Sequence, residues 1–188
     1  PVHRVHRGRA QERRDEEVRR RRVQLARRRD LLPHCTRSQI ERAARNGDIQ
    51  RVRRGHYALP GLPPGRSTAE AFRGTLSHES AAQYWELDAI AAPGHVHITV
   101  PKHAHRPIEK GVRWHYADLE PRPLVTSPVR TVLDCARLLP FREALAIADS
   151  ALRRHLVTED ELTDAADRLT GPGRAKVRRV CRRADGRA

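Results

Sequence analysis

The sequence predicts an α+β protein, and three observations predict it. Between Thr36 and Leu59 a short capped helix and a glycine lead into two β-rich runs around a basic turn. Two later stretches, His95 to Val100 and Gly111 to Ala117, alternate apolar and polar residues as strands do. From Thr126 onward, capping signals open one amphipathic helix after another. The expected architecture is an N-terminal winged helix-turn-helix over 15–60, a linker at 61–66 and a small mixed α/β domain over 67–170. That second domain carries an antiparallel sheet and C-terminal helices. Residues 1–14, without apolar period, are expected to form a disordered basic arm, and 171–188 a basic helical tail.

A sparse helical pattern over 15–29 precedes the first of these elements, with Val18, Leu25 and Ala26 as its apolar members. It is the expected support for the recognition helix. Leu31 to Cys35 makes the turn, because Pro33 disfavours helix at Leu32. Thr36 with Gln39 forms a capping box, and Gly47 supplies the left-handed stop. Ile40, Ala43 and Ala44 share one narrow apolar face, while Ser38, Glu41, Arg42 and Arg45 point the opposite way. Taken alone, that helix reads equally well as an ordinary amphipathic helix with a solvated charged face. The hairpin that follows tips the balance towards DNA. Ile49 and Val52 flank Arg51, Arg53-Arg54-Gly55 makes the turn, and His56 to Leu59 returns, so guanidiniums sit where they can meet phosphates or a minor groove.

Pro60 to Gly65 reads as the domain boundary, and a helix is expected from Ser67 to Leu87. Ser77, His78 and Glu79 lie side by side in it. Neighbours on a helix point in different directions and no G-x-S-x-G elbow accompanies them, so they are expected to open a helical turn with Ser77 as its cap, without catalysis. The two strands at 95–100 and 111–117 are expected to pair as an antiparallel hairpin. His95, His97, His103, His105 and His115 fall in that unit; a solvated sheet face is the preferred account of them, and no metal or other cofactor is expected. Ser127-Pro128 caps a helix with stripe Val129, Val132, Leu133, Ala136 and Leu139, flanked by an Arg130–Asp134 pair. Helices from Phe141 to Leu156 and from Thr158 to Leu169 follow, the last stopped by Gly171-Pro172-Gly173.

Composition narrows the function classes. The formal net charge of +15 is unevenly placed: 1–60 holds 18 Arg against 7 acids, 61–172 is near neutral, and the last sixteen residues hold 7 bases against 1 acid. Arg codon preference explains 35 Arg against 3 Lys but not this asymmetry, which suits a polyanion partner for the head. Three separated cysteines, Cys35, Cys135 and Cys181, argue against a disulfide framework and a four-ligand zinc site. With no hydrophobic leader and no apolar run long enough for a membrane span, a cytoplasmic protein with no membrane partner is expected.

The stretches RVRRGHYAL, LSHESAAQYWEL, HVHITVP, GVRWHYADL and TSPVRTVLDCARLLPFREALAIADSALR resemble the AbiEi-type antitoxins of type IV toxin-antitoxin systems, across residues 17–169. The resemblance implies a bacterial regulator of abortive infection, not an enzyme, whose winged helix binds double-stranded DNA at its own promoter and represses its operon. The domain at 67–170 would then counter a nucleotidyltransferase-like toxin. Carried over by position, DNA contact falls on Arg37, Ser38, Arg42 and Arg45 in the helix and on Arg51, Arg53 and Arg54 in the wing. Arg130, Thr131 and Asp134 match a family motif that reads as structural, pinning a helix to the sheet. The front half also resembles the N-terminal part of proteins that continue into a very-short-patch-repair-like endonuclease domain. The alternative function is therefore a non-catalytic targeting portion of such a protein; no carboxylate pair followed by Glu-x-Lys is present in these residues.

Overall fold

The computed structural model describes residues 25–60, 64–90, 93–120 and 122–187, so the expected arm at 1–14 and most of the expected helix at 15–29 lie outside the described residues. The chain divides into two compact units, Pro1–Ala71 and Phe72–Ala188. Each mixes helices and a small sheet, so the α+β class holds.

In the first unit, strand β1 (Leu25–Arg27) leads into a single helical turn, α1 (Arg28–Leu31), then helix α2 (Arg37–Asn46) and the hairpin β2 (Gln50–Arg53) and β3 (His56–Ala58). The sheet order is β1-β3-β2, antiparallel throughout. Leu25–Arg27 corrects the expected helix to Arg29. The Leu-Ala-Arg sequence favours helix, but pairing with β3 at Leu25↔Ala58 and Arg27↔His56, continued by the Arg28 amide on the Gly55 carbonyl at 2.8 Å, outweighs that weak local preference. The capping box at α2 is complete: Thr36 Oγ1 accepts from the Gln39 amide (3.3 Å) and Gln39 Oε1 accepts from the Thr36 amide (2.7 Å). Gly47, at φ 83°, ends the helix, and Gly55, at φ 76°, makes the hairpin turn, both in the left-handed region that glycine enters without strain. Among the described residues of these elements, Ile40, Tyr57 and Ala58 bury their apolar side chains.

Helix α3 (Pro64–Ala71) packs on β1 and β2 and belongs to the first unit. The expected linker at 61–66 is thus partly helix, and the division falls at Ala71/Phe72. Prolines disfavour helix interiors but are tolerated in a first turn, which is how a Pro-Gly sequence comes to open a helix.

The second unit starts with β4 (Thr75–Leu76) and α4 (His78–Tyr84), which break the single helix expected from Ser67 to Leu87. The break is steric. A Cβ on Gly74 would stand 2.3 Å from Ile98 Cγ2 and 3.2 Å from the Thr99 carbonyl oxygen, so the chain passes close along strand β5 (Val96–Val100) here. We expect Gly74→Ala to destabilise the protein by about 1–3 kcal/mol through this overpacking, measured by urea denaturation; an unchanged midpoint would refute the close approach.

The sheet order is β4-β5-β6, with β6 at Val112–Tyr116. β4 pairs antiparallel with β5, but β5 and β6 run parallel, in register from Val96↔Val112 to Val100↔Tyr116. This overturns the expected antiparallel hairpin. The connection at 101–111 is longer than a hairpin loop and carries Pro101 and Pro107, and it is long enough to return beside β5 and re-enter at its start. Trp114 Nε1 donates to the Pro107 carbonyl at 2.9 Å and tethers the returning segment.

Four helices complete the unit: α5 (Pro128–Leu138), α6 (Phe141–Arg153), α7 (Glu159–Asp167) and α8 (Arg174–Arg183). Ser127 Oγ accepts from the Arg130 amide at the start of α5, with Pro in its first turn, and Thr158 with Glu161 forms the capping box of α7, as the sequence predicts. The Arg130–Asp134 pair also forms, Nε reaching both carboxylate oxygens at 2.8 and 2.9 Å. Thr131 Oγ1 lies 2.8 Å from Thr126 Oγ1, and Trp85 Nε1 donates to the Thr126 carbonyl at 2.9 Å, so this corner is tied from two sides. The segment read as a basic tail is integral: α8 packs against α5, α6 and α7, burying Val177, Val180 and Cys181.

Candidate nucleic-acid interface

The residues expected to meet DNA are distributed over α2 and the β2–β3 hairpin. On α2, Ile40 turns into the head while Arg37, Ser38, Arg42 and Arg45 are exposed, with Ala43 and Ala44 half-buried behind them. Two of these side chains already have partners. Arg37 Nε donates to Glu41 Oε1 at 2.8 Å, an i,i+4 pair that holds the Glu41 carboxyl below its ordinary range, and Ser38 Oγ lies 3.0 Å from Thr36 Oγ1. Exposed pairs of this kind are weak and exchange readily for a phosphate. Pairing also offsets the one acid on this face, which would otherwise repel a polyanion.

In the hairpin, Arg51 and Arg54 are exposed. Arg53 differs: it is half-buried, with Nε on His56 Nδ1 at 3.2 Å. That bond leans the guanidinium along the turn, and partial burial together with the Arg53 and Arg27 charges lowers the His56 pKa. A register shift between Arg51 and Arg53 separates the two strand arginines along the hairpin.

Sequence reasoning missed Arg29, exposed on α1 and 3.5 Å from Asp30, because the run 27–29 reads as the flank of a longer helix. Its neighbour Arg28 is turned inward, donating to Tyr57 Oη at 3.0 Å.

The second unit contains a different constellation. Ser77, His78 and Glu79 meet His97, Thr99 and His115 from the two parallel strands. Ser77 does not cap α4 with its side chain; instead its Oγ accepts from Thr99 Oγ1 at 2.8 Å and lies 3.0 Å from His78 Nδ1. His97 Nε2 is 3.3 Å from Glu79 Oε2, and His97 Nδ1 is 3.1 Å from His115 Nε2. His78 stacks on His115 with ring centroids 3.5 Å apart. Burial, with the neighbouring imidazoles and arginines, pushes His78 down to about 2, and His97 and His115 to about 4. The three rings are therefore neutral at ordinary pH, and one nitrogen from each falls within a group no wider than 4.8 Å. The expected solvated sheet face is thus not formed: His95, His103 and His105 are exposed but lie outside the two strands, while His97 and His115, which are in them, turn into the cluster. The missed signal was proximity: the parallel register sets His97 opposite Arg113 and His115 opposite Thr99, two positions apart on one sheet face, and His78 reaches them from a backbone with φ 51°.

No family model matches the chain, and no curated protein matches it. Among solved structures it is similar to the crystal structure of RV2827C protein from Mycobacterium tuberculosis, with 14% sequence identity and a TM-score of 0.52, over 88% of this chain and 75% of that one. At that identity the likeness concerns the architecture alone.

Proposed function

We propose that this chain is a DNA-binding regulator of the AbiEi antitoxin type, which binds operator DNA through α2 and the β2–β3 wing and represses its own operon. One observation carries the reading: a strand, a short helix, a capped second helix and a basic hairpin occur in that order with strand order β1-β3-β2, the arrangement a winged helix uses, and the outward face of α2 and the hairpin is rich in Arg. Small residues behind that face let the helix approach a groove, and the exposed arginines supply phosphate and guanine contacts. Antitoxin action on a nucleotidyltransferase-like partner follows from the resemblance, and copurification with the product of a neighbouring gene tests it.

Fluorescence anisotropy of the chain against its own upstream DNA and a scrambled duplex, across a salt series, tests DNA reading. Arg42→Ala and Arg45→Ala are each expected to lose about 1–3 kcal/mol for the upstream duplex and to narrow its preference over the scrambled one. Arg51→Ala and Arg54→Ala are expected to weaken binding to both duplexes alike, each lowering the salt slope by about one. Equal affinity of the native chain for both duplexes at every salt concentration overturns the operator reading.

A further inference from the structure

We propose that His78, His97 and His115 are the three protein ligands of a divalent transition-metal site, zinc first, with Glu79 orienting His97 from the side away from the ion. The site lies in the second unit and does not rest on DNA binding.

The ligand set is assembled from three separate stretches: the start of α4, β5 and β6. His97 Nδ1 and His115 Nε2 are 3.1 Å apart. Two nitrogens on a tetrahedral zinc, each about 2.0–2.1 Å from the ion, stand roughly 3.3 Å apart, so this pair is near its bound spacing already. On the far side of the His97 ring, Nε2 meets the Glu79 carboxylate at 3.3 Å. A carboxylate accepting from the Nε2–H fixes the tautomer and leaves the Nδ1 lone pair for the ion, and such a carboxylate is the usual outer partner of a metal-bound histidine. Ser77 does the same for His78. Ser77 Oγ lies 3.0 Å from Nδ1 and is itself held by the Thr99 hydroxyl; in the tautomer whose Nδ1–H donates to it, the lone pair of His78 is on Nε2.

A second, independent observation is strain. His78 has φ 51°, a left-handed conformation that a residue with a Cβ adopts at some cost and that collects at binding sites. The conformation delivers this imidazole onto the two strand histidines. The ring stacks on His115, and to hold an ion it must tilt out of the stack so that all three lone pairs converge. His78 is thus the ligand that moves, while the two strand ligands are fixed by the ladder. Arg113 and Arg130 oppose a cation here, but Arg130 is paired with Asp134, and Glu79 supplies a compensating carboxylate. Three imidazole ligands leave a fourth position, which in such sites is taken by water or an incoming ligand.

The test uses the full chain, stripped with chelator and titrated with Zn2+ by calorimetry and with Co2+ by visible absorption. The proposal expects one tightly held equivalent and the intense visible bands of tetrahedral cobalt. His97→Ala should abolish both. His115→Phe, which keeps a ring in the stack and so guards against a folding failure, should also abolish both while its far-UV circular dichroism stays native. Glu79→Gln should weaken binding about 10–100-fold. Substituting the exposed His103 and His105, or His3 and His6, by Ala should leave the equivalent in place. Absence of tetrahedral cobalt bands in the native chain, or metal binding that survives in a folded His115→Phe protein, overturns the proposal: the three rings are then a packed, hydrogen-bonded core cluster.

Discussion

A chain ended at Gly173 is expected to lose the cooperative unfolding transition of the second unit. Helix α8 carries a formal excess of positive charge, which suggests a solvated element, yet Val177 and Val180 are fully buried and Cys181 nearly so. Burying such side chains contributes about 1.5–3 kcal/mol for each Val. Their removal also uncovers the apolar faces of α5, α6 and α7 on which they sit. The polar side of α8 is equally engaged. Arg178 donates to the carbonyls of Ala166 (3.3 Å) and Asp167 (2.8 Å) at the C-terminal end of α7, and Lys176 Nζ donates to the Leu139 carbonyl at 2.8 Å beyond the end of α5. Arg179 lies over the Phe141 ring, 4.7 Å from its centroid. Loss of all these contacts is comparable to the whole stability of an ordinary domain, about 5–15 kcal/mol. Urea titration followed by tryptophan fluorescence reads the outcome directly, because Trp85 and Trp114 both lie in this unit. Arg178→Ala alone should cost only about 1–3 kcal/mol. A shortened chain with the native midpoint and slope would mean that α8 is dispensable.

What the sequence made legible follows a physical division. Elements specified locally were readable: the capping boxes at Thr36 and Thr158, the Ser127-Pro128 helix start, the glycine at Gly47 and the alternation of 96–100 and 112–116 each depend on residues within a few positions. Features decided by distant partners were not. Leu25–Arg27 becomes a strand only because β3 offers an edge, Gly74 breaks a helix because Ile98 lies against it, and parallel pairing of β5 with β6 depends on the path of an irregular connection. The arginines of α2 and the wing were visible as types at positions, whereas the turn of Arg53 towards His56 and of Arg28 towards Tyr57 was not. The histidine cluster was the least legible feature. Its members are separated by up to 37 residues; the helix does open at Ser77 with Glu79 in its first turn, but Ser77 makes no side-chain cap and the φ of 51° at His78 has no local sequence signal.

Acid is expected to destabilise the metal-free protein well above the pH at which its carboxylates titrate. In the folded state His97 and His115 are held near 4 and His78 near 2, chiefly by burial, while in the unfolded chain each takes a proton near its ordinary value of about 6.5. Between about 6.5 and 4 the unfolded state therefore binds more protons, so stability rises with pH through this window and is lost as pH falls through it. Each unit of difference corresponds to about 1.4 kcal/mol, so the joint loss from the three rings by pH 4 is on the order of 10 kcal/mol. Glu79 and Asp134 act in the opposite sense, because burial raises both, and a carboxyl that is easier to protonate when folded favours the fold as pH drops. Their contribution starts from the ordinary carboxylate range and extends upward, so the fall between pH 6.5 and 5 is the histidine signature. Urea midpoints of the second unit in chelator, at pH 7.5, 6 and 5, should decline in that order. His115→Phe, with one fewer ring to protonate, should flatten the decline while keeping the stack against His78. A native midpoint that stays constant from pH 7.5 to 5 would mean that these imidazoles accept protons in place, and that burial does not hold them neutral.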